Sequence, residues 1–358
     1  MSVYIAHALR TCFGAVAGVL KIPVWTASAL INGKRPPSFK RAPSIGASVL
    51  GEVFEDTSFK SQAPDELMLH AVQDDGKRQC PGKRAIVFVH GFPELWLSWK
   101  AQLHHFAAQG HPVVALSMRG YGLSEKPAEI ERYHLFEYLV PDVQAAVAHA
   151  QRRGSSQKPL LVAHDWGAGV CWPAVGLSMT SHAEVAGYAS LANPPGEAFM
   201  ANFSFSQLWA SLYMVFFNAP GLPEALFLAN SAWFTGLLLN WTEKPGAVDA
   251  ETLNIYRTAV LQPGAMTAQL NYYRAAIQLS PKAANGNILK PNNKLKLPVL
   301  LIRGKQDVAL LGGLFKDLDR YLENYSLLEL DGCSHWIQHD APEEVNESLE
   351  HFLQQLHS

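Results

Sequence analysis

Three side chains able to form esters or move protons stand just past short apolar runs: Asp165, Asp307 and His335. Two carboxylates and an imidazole can together run nucleophilic catalysis, one acid attacking, the imidazole handling the proton and the second acid orienting it. Asp165 has the most informative surroundings. In Leu160-Leu161-Val162-Ala163-His164-Asp165-Trp166-Gly167 an apolar run enters a small-x-Asp-x-small turn, and small residues continue beyond it. A nucleophile exposed at the end of a strand needs that pattern, because the turn is so tight that only small side chains fit two positions to either side. An Asp there also suits the cap of a following helix, so the turn alone leaves both readings open. Serine is not at its centre, and no GxSxG occurs in the chain. The segment His90-Gly91-Phe92-Pro93 follows another apolar run, where the backbone N–H of Phe92, with that of Trp166 after the candidate nucleophile, can form an oxyanion hole.

These residues need a scaffold that gathers strand ends. Apolar runs at 85–89, 112–117, 159–163, 186–192, 297–302 and 325–330 are continuous rather than alternating, as in strands buried on both faces of a parallel sheet covered by helices. The segments 53–60 and 67–73 alternate better and predict an antiparallel edge. Between Asn193 and Lys296 the sequence is aromatic and helix-like without a convincing strand, which predicts an all-helical insertion over an α/β sheet. The expected division is an arm over 1–48, a core over 49–195 and 291–358, and a helical lid over 196–290. Pro173 is expected to kink the helix after Asp165 or end its first turns.

The motifs HGFPE (His90 to Glu94), RGYGLS (Arg119 to Ser124), HDWG (His164 to Gly167), Asn193-Pro194-Pro195, NYYR (Asn271 to Arg274) and Ser334-His335-Trp336 together resemble those of the epoxide hydrolases of the α/β-hydrolase superfamily. HDWG with NYYR is specific, whereas HGFP is shared with dehalogenases and other hydrolases. The likeness spans nearly everything but the arm, with Ala163 standing where Gly is expected. It implies an α/β-hydrolase fold with an inserted cap, Asp165 as nucleophile, His335 as base and Asp307 as its orienting acid. It also implies two ring-opening phenols, Tyr213 from the stretch Tyr213 to Pro220 and Tyr273 from the second tyrosine of NYYR, with Tyr272 beside it leaving the choice within that pair open. His90, Pro93 and Trp336, in the same motifs, are candidate substrate contacts.

The chemistry suits an Asp. An epoxide has a strained C–O bond and no carbonyl, so a serine would leave a stable ether, while a carboxylate leaves an ester that water can attack. Phenols with a pKa near 10 keep their protons at neutral pH and can supply one to the departing alkoxide. The expected partners are a small apolar epoxide and water, with no cofactor and no metal-ligand constellation, in a monomer or homodimer. A dehalogenase with the same nucleophile is the nearest rival, but it typically carries Asn after the HG pair or Arg after the Asp, where this chain has Phe92 and Trp166. A non-catalytic ligand receptor on the same fold is the other alternative.

Charge adds a division that the net value of -2 hides. Arg10, Lys21, Lys34, Arg35, Lys40 and Arg41 precede the first acid, Glu52, so 23 of the 29 cations face all 31 acids in the remainder. An acidic folded part does not suit a nucleic-acid binder. Four scattered cysteines, Cys12, Cys80, Cys171 and Cys333, make no disulfide framework and read as buried thiols in a reducing compartment. The arm has an apolar stretch from Val3 to Leu20, broken by His7 and Arg10. It suits a membrane-surface helix on the cytoplasmic face, an acid-poor organelle-targeting segment or a helix packed on a cytoplasmic domain.

Overall fold

The computed structural model of the protein describes residues 44–153, 157–177, 184–239, 242–279 and 294–356. Eight strands form one sheet: β1 (Phe54–Lys60), β2 (Met68–Asp74), β3 (Ile86–Val89), β4 (Val113–Leu116), β5 (Leu160–His164), β6 (Gly187–Leu191), β7 (Val299–Gly304) and β8 (Tyr325–Leu330). Their spatial order is β1-β2-β4-β3-β5-β6-β7-β8. Strands β3 to β8 run parallel, and β1 and β2 form the antiparallel edge that the alternating segments predict. Strands β3 to β6 are buried along their whole length, which explains their unbroken apolar sequences.

The chain order reverses beside β3, which has β4 on one side and β5 on the other. At such a switch point the loops leaving adjacent strands part, and a crevice opens at their C-terminal ends. The register pairs Val89 with Ala163, so the loop from His90 and the turn at Asp165 leave the sheet side by side.

Helices α1 (Lys100–Ala108), α2 (Val140–Arg153) and α3 (Asp165–Leu177) cross between the early strands, and α10 (Ile337–Asp340) and α11 (Pro342–Gln355) follow β8. Between β6 and β7 the described residues hold only helices: α4 (Gly196–Ala201), α5 (Phe205–Ala210), α6 (Leu212–Phe217), α7 (Leu222–Leu239), α8 (Ala250–Val260) and α9 (Ala265–Gln278). This is the helical insertion expected from the strand-free interval.

Some expectations need correction. Helix α3 runs through Pro173 to Leu177 instead of ending in its first turns. Its buried Ala168, Val170, Cys171, Trp172, Ala174 and Val175 supply tertiary packing that outweighs the lost backbone hydrogen bond. The packed chain also begins before residue 49: Ile45 and Ala47 are buried, and the Ile45 carbonyl accepts from Trp96 Nε1 at 3.0 Å. The arm through residue 43, with Cys12, lies outside the described residues. Cys171 and Cys333 are buried free thiols, but Cys80 is exposed, on the turn before β3.

The glycines of α3 carry unequal constraints. A Cβ on Gly167 would sit 2.4 Å from the His90 carbonyl oxygen and 2.6 Å from that of Val89, both backbone atoms. One on Gly169 would meet only Asn193 Nδ2 at 3.8 Å. Gly167→Ala is therefore expected to lower unfolding free energy by about 1–3 kcal/mol. Gly169→Ala should leave it unchanged or raise it by up to about 1 kcal/mol, since Ala is the better helix former. Urea titration of the two variants checks the difference, and equal losses would contradict it.

Candidate active site

Asp165 is both the end of the β5 turn and the first residue of α3, and its φ of 50° lies in the left-handed region. That conformation costs a non-glycine residue about 1–2 kcal/mol and turns the chain sharply from strand into helix. The surroundings fix it. A Cβ on Gly91 would fall 2.5 Å from Asp165 Cβ and 2.7 Å from Oδ1, so only glycine lets the loop after β3 lie against this side chain. Asn193 Nδ2 donates to the Asp165 carbonyl at 3.1 Å, tying the turn to the end of β6.

The loop after β3 delivers a donor: Phe92 N–H reaches Asp165 Oδ1 at 2.9 Å. Trp166 is the second residue of α3, where the helix leaves backbone N–H groups without internal partners. The other carboxylate oxygen, Oδ2, lies 3.3 Å from His335 Nε2. His335 Nδ1 is 2.8 Å from Asp307 Oδ2. Asp307 Oδ1 accepts from the backbone N–H groups of Ala309 and Leu310 at 2.8 and 2.9 Å, which fixes the carboxylate plane. Gly304 at the end of β7 makes this approach possible, since a Cβ there would lie 2.2 Å from the carbonyl oxygens of Cys333 and Ser334. The three residues that the sequence leaves at separate strand ends thus form one chain of contacts, Asp165 to His335 to Asp307.

Electrostatics link them. Burial opposes charge on His335, but Asp307 and Asp165 outweigh it and hold the imidazole pKa well above its usual range. Burial would also raise the Asp165 pKa, yet the hydrogen bond and charge of His335, with the charge of His164 and the Phe92 N–H, keep it below the ordinary carboxylate value. Both directions favour the charged forms of His335 and Asp165 in the resting site.

Behind this chain lies a buried polar cluster that sequence reasoning missed. Glu94 is fully buried and faces His164 Nδ1 at 2.8 Å, and it accepts from Gly91 N–H at 3.3 Å and Gln338 Nε2 at 2.9 Å. His339 Nε2 is 3.3 Å away. Burial would raise the Glu94 pKa, but the charges and hydrogen bonds of His164 and His339 hold it well below the usual range. His164 Nε2 in turn meets the His335 carbonyl at 2.9 Å. The signal was on the page, as Glu94 and His164 belong to HGFPE and HDWG, but nothing in a linear sequence shows that they touch.

His90 is not a substrate contact. It is fully buried, with Nδ1 2.9 Å from the Gly91 carbonyl and Nε2 accepting from Met118 N–H at 3.2 Å, and burial pushes its pKa down to about 4. It is a neutral ring that fastens its own loop. Pro93 is buried after a cis peptide bond with Phe92. Trp336 is also buried, packing edge-on against His335 at 5.1 Å between ring centroids and tilted against His164 at 5.6 Å.

The helical insertion brings two phenols over Asp165. Tyr273 on α9 packs edge-to-face on Phe92 and Trp166, at 5.1 and 4.9 Å between centroids, and stands 6.0 Å from Tyr213 on α6. Burial, with Tyr213 and Asp165 nearby, pushes the Tyr273 pKa well above its ordinary value. Burial of its hydroxyl, with Asp165 and Asp307, raises that of Tyr213 as well. Of the two NYYR tyrosines, Tyr272 donates to the Arg119 carbonyl at 2.9 Å, while Tyr273 is the one that packs beside Tyr213. The arrangement offers a buried carboxylate whose charged form is favoured, an N–H donor on its Oδ1, an oriented imidazole at its Oδ2, and two phenol rings opposite.

Residues 84–342 match the α/β hydrolase fold family. Epoxide hydrolase 3 of Mus musculus is 32% identical over 283 residues, covering 76% of this chain and 71% of that protein. An AB hydrolase superfamily protein of Bacillus subtilis is 30% identical over 268 residues, covering 75% and 89%. Among solved structures, an epoxide hydrolase of Bacillus megaterium in complex with an inhibitor superposes with a TM-score of 0.69 at 26% identity, covering 83% of this chain and 100% of that one. The chain belongs to the α/β-hydrolase family, and its relatives there include epoxide hydrolases.

Proposed function

We propose that this α/β hydrolase converts an apolar epoxide to a vicinal diol through an ester on Asp165, with residues 196–290 acting as a lid on a core that begins near Ile45, runs to 195 and resumes over 291–358. The observation that carries the reading is the junction of an ionised Asp165 with His335 on one side and the Tyr213–Tyr273 pair on the other. Phe92 N–H engages Oδ1, so Oδ2 attacks the ring carbon while a phenol, Tyr273 or Tyr213, gives its proton to the opening oxygen. The product is a hydroxyalkyl ester whose carbonyl oxygen already lies at the Phe92 N–H.

Forming the ester removes the negative charge from Asp165. One of the two anions that hold the His335 proton is gone, so the imidazolium gives up that proton, which restores the phenol. Neutral His335 is then the base for water attack on the ester carbonyl. Charge develops on Oδ1, which the N–H groups of Phe92 and Trp166 stabilise. Collapse releases the diol, regenerates the carboxylate with one oxygen from water, and leaves His335 protonated again. Protons and atoms balance to epoxide plus water.

Asp165→Asn is expected to abolish diol formation from styrene oxide in freshly prepared protein, as read by mass spectrometry, and His335→Gln to accumulate substrate mass on the peptide containing Asp165. Robust turnover by the Asn variant, or halide release from a haloalkane in place of diol, would overturn the reading. Tyr273→Phe should slow ring opening about tenfold or more in single-turnover experiments, with ester hydrolysis little changed, because the second phenol remains. Equal effects on both steps would count against the phenol as acid.

A pH signature follows with a definite sign. Asp165 raises the His335 pKa, so the ring in Asp165→Asn should titrate at lower pH than in the native protein. NMR titration of the His335 ring reads the shift, and an unchanged midpoint would contradict the coupling.

A further inference from the structure

Two short lid helices are built with their polarity reversed. On α5, Gln207 is fully buried: its Nε2 donates to the Ala309 carbonyl at 2.8 Å, and its Oε1 accepts from Leu311 N–H at 3.0 Å. This two-point anchor seats the helix on the loop after β7. The apolar residues then face outward: Phe205, Leu208 and Trp209, at i, i+3 and i+4, are 81%, 46% and 52% exposed. On α6, Phe217 and Tyr213 turn toward Tyr273, leaving Val215 at 64% exposure and Leu212 at 44%. Met200 on the preceding helix, α4, is 72% exposed as well.

Soluble proteins rarely leave such a run of large apolar side chains open, and a contiguous patch of this kind marks a binding surface. No charged residue lies among the 26 positions between Glu197 and Glu224, and Glu224 itself is held by Arg274 at 2.7 Å. A rim of charges would suit a protein partner. A stretch of Phe, Leu, Met and Trp relieved only by Ser, Asn and Gln suits the boundary between lipid chains and headgroups, where Trp and Tyr are enriched.

We infer that the outward face of α4, α5 and α6, with Phe205, Trp209 and Val215 at its centre, inserts into a lipid bilayer surface. The sequence carries a second feature of the same chemistry, the acid-free basic segment through Gly51 with its apolar stretch from Val3 to Leu20. Stable surface attachment generally takes two such signals. Tyr213 joins the patch to the site, being 37% exposed while its ring stands 6.0 Å from Tyr273. If the proposed chemistry holds, apolar epoxides dissolved in the membrane enter beneath this face. Lipid docking itself does not depend on that chemistry.

The test uses the full chain with Cys12 and Cys80 replaced by serine and an environment-sensitive fluorophore on Phe205→Cys. The control site is Gln354→Cys, near Leu356, which packs on Gly187 at the opposite ends of the parallel strands. Vesicles of phosphatidylcholine and phosphatidylserine should shift the emission at position 205 to the blue and let spin-labelled lipid quench it, with no change at 354. The pair Phe205→Ser and Trp209→Ser should weaken vesicle binding about tenfold or more while leaving conversion of a water-soluble epoxide unchanged. Vesicle binding with a silent probe at 205 would place attachment elsewhere and overturn the inference. So would a response that follows protein concentration without lipid, which points to a second copy, or no binding at all.

Discussion

The close approach of the turn at Asp165 to the loop after β3 is the constraint on which the rest of the site depends. Parallel pairing of β3 with β5 brings the two exits together, and Gly91 and Gly167 let the backbones touch where any side chain would collide. The strained φ of Asp165 is tolerated because both flanks are over-determined in this way. From that contact follow the Phe92 hydrogen bond, the direction of the carboxylate and the free oxygen that faces His335.

Glu94 extends the same constraint to the third loop. One buried carboxylate binds the Gly91 backbone, the His164 ring and the Gln338 amide, and His164 reaches on to the backbone of His335. A buried anion with three or more partners is costly to disturb, since removing one partner leaves charge uncompensated in low dielectric. The loops carrying Phe92, Asp165 and His335 are therefore coupled through groups that do not meet substrate in the proposed reaction. Such a scaffold holds the reacting atoms within the narrow tolerance that positioning requires.

The middle of the sheet was legible because β3 to β6 are buried on both faces, which writes largely apolar runs into the sequence, whereas β8, expected to be buried in the same way, is only half-buried. Asp165, Asp307 and His335 were legible because each follows such a run. Less visible were features that depend on what lies across space. His90 looks like a ligand by type, yet its ring serves Gly91 and Met118; Tyr272 and Tyr273 are neighbours in sequence but point to different places. Pro173 shows the same limit, because local chemistry predicts a helix kinked or ended near it, and packing carries the helix on to Leu177.

The choice of phenols over carboxylic acids on the lid follows from the charge they face. Beside an ionised Asp165 any acid is driven toward its neutral form, but a carboxylic acid starts near pKa 4 and shifts far less predictably past neutrality. A phenol starts near 10 and is pushed upward by burial and by Asp165, so it arrives protonated at every working pH. In the proposed reaction so weak an acid is still strong enough, because an opening epoxide releases an alkoxide more basic than a phenolate. The same elevation keeps the lid hydroxyls from carrying a second negative charge into the resting site, so in the proposed cycle the proton that a phenol gives up is returned to it from His335.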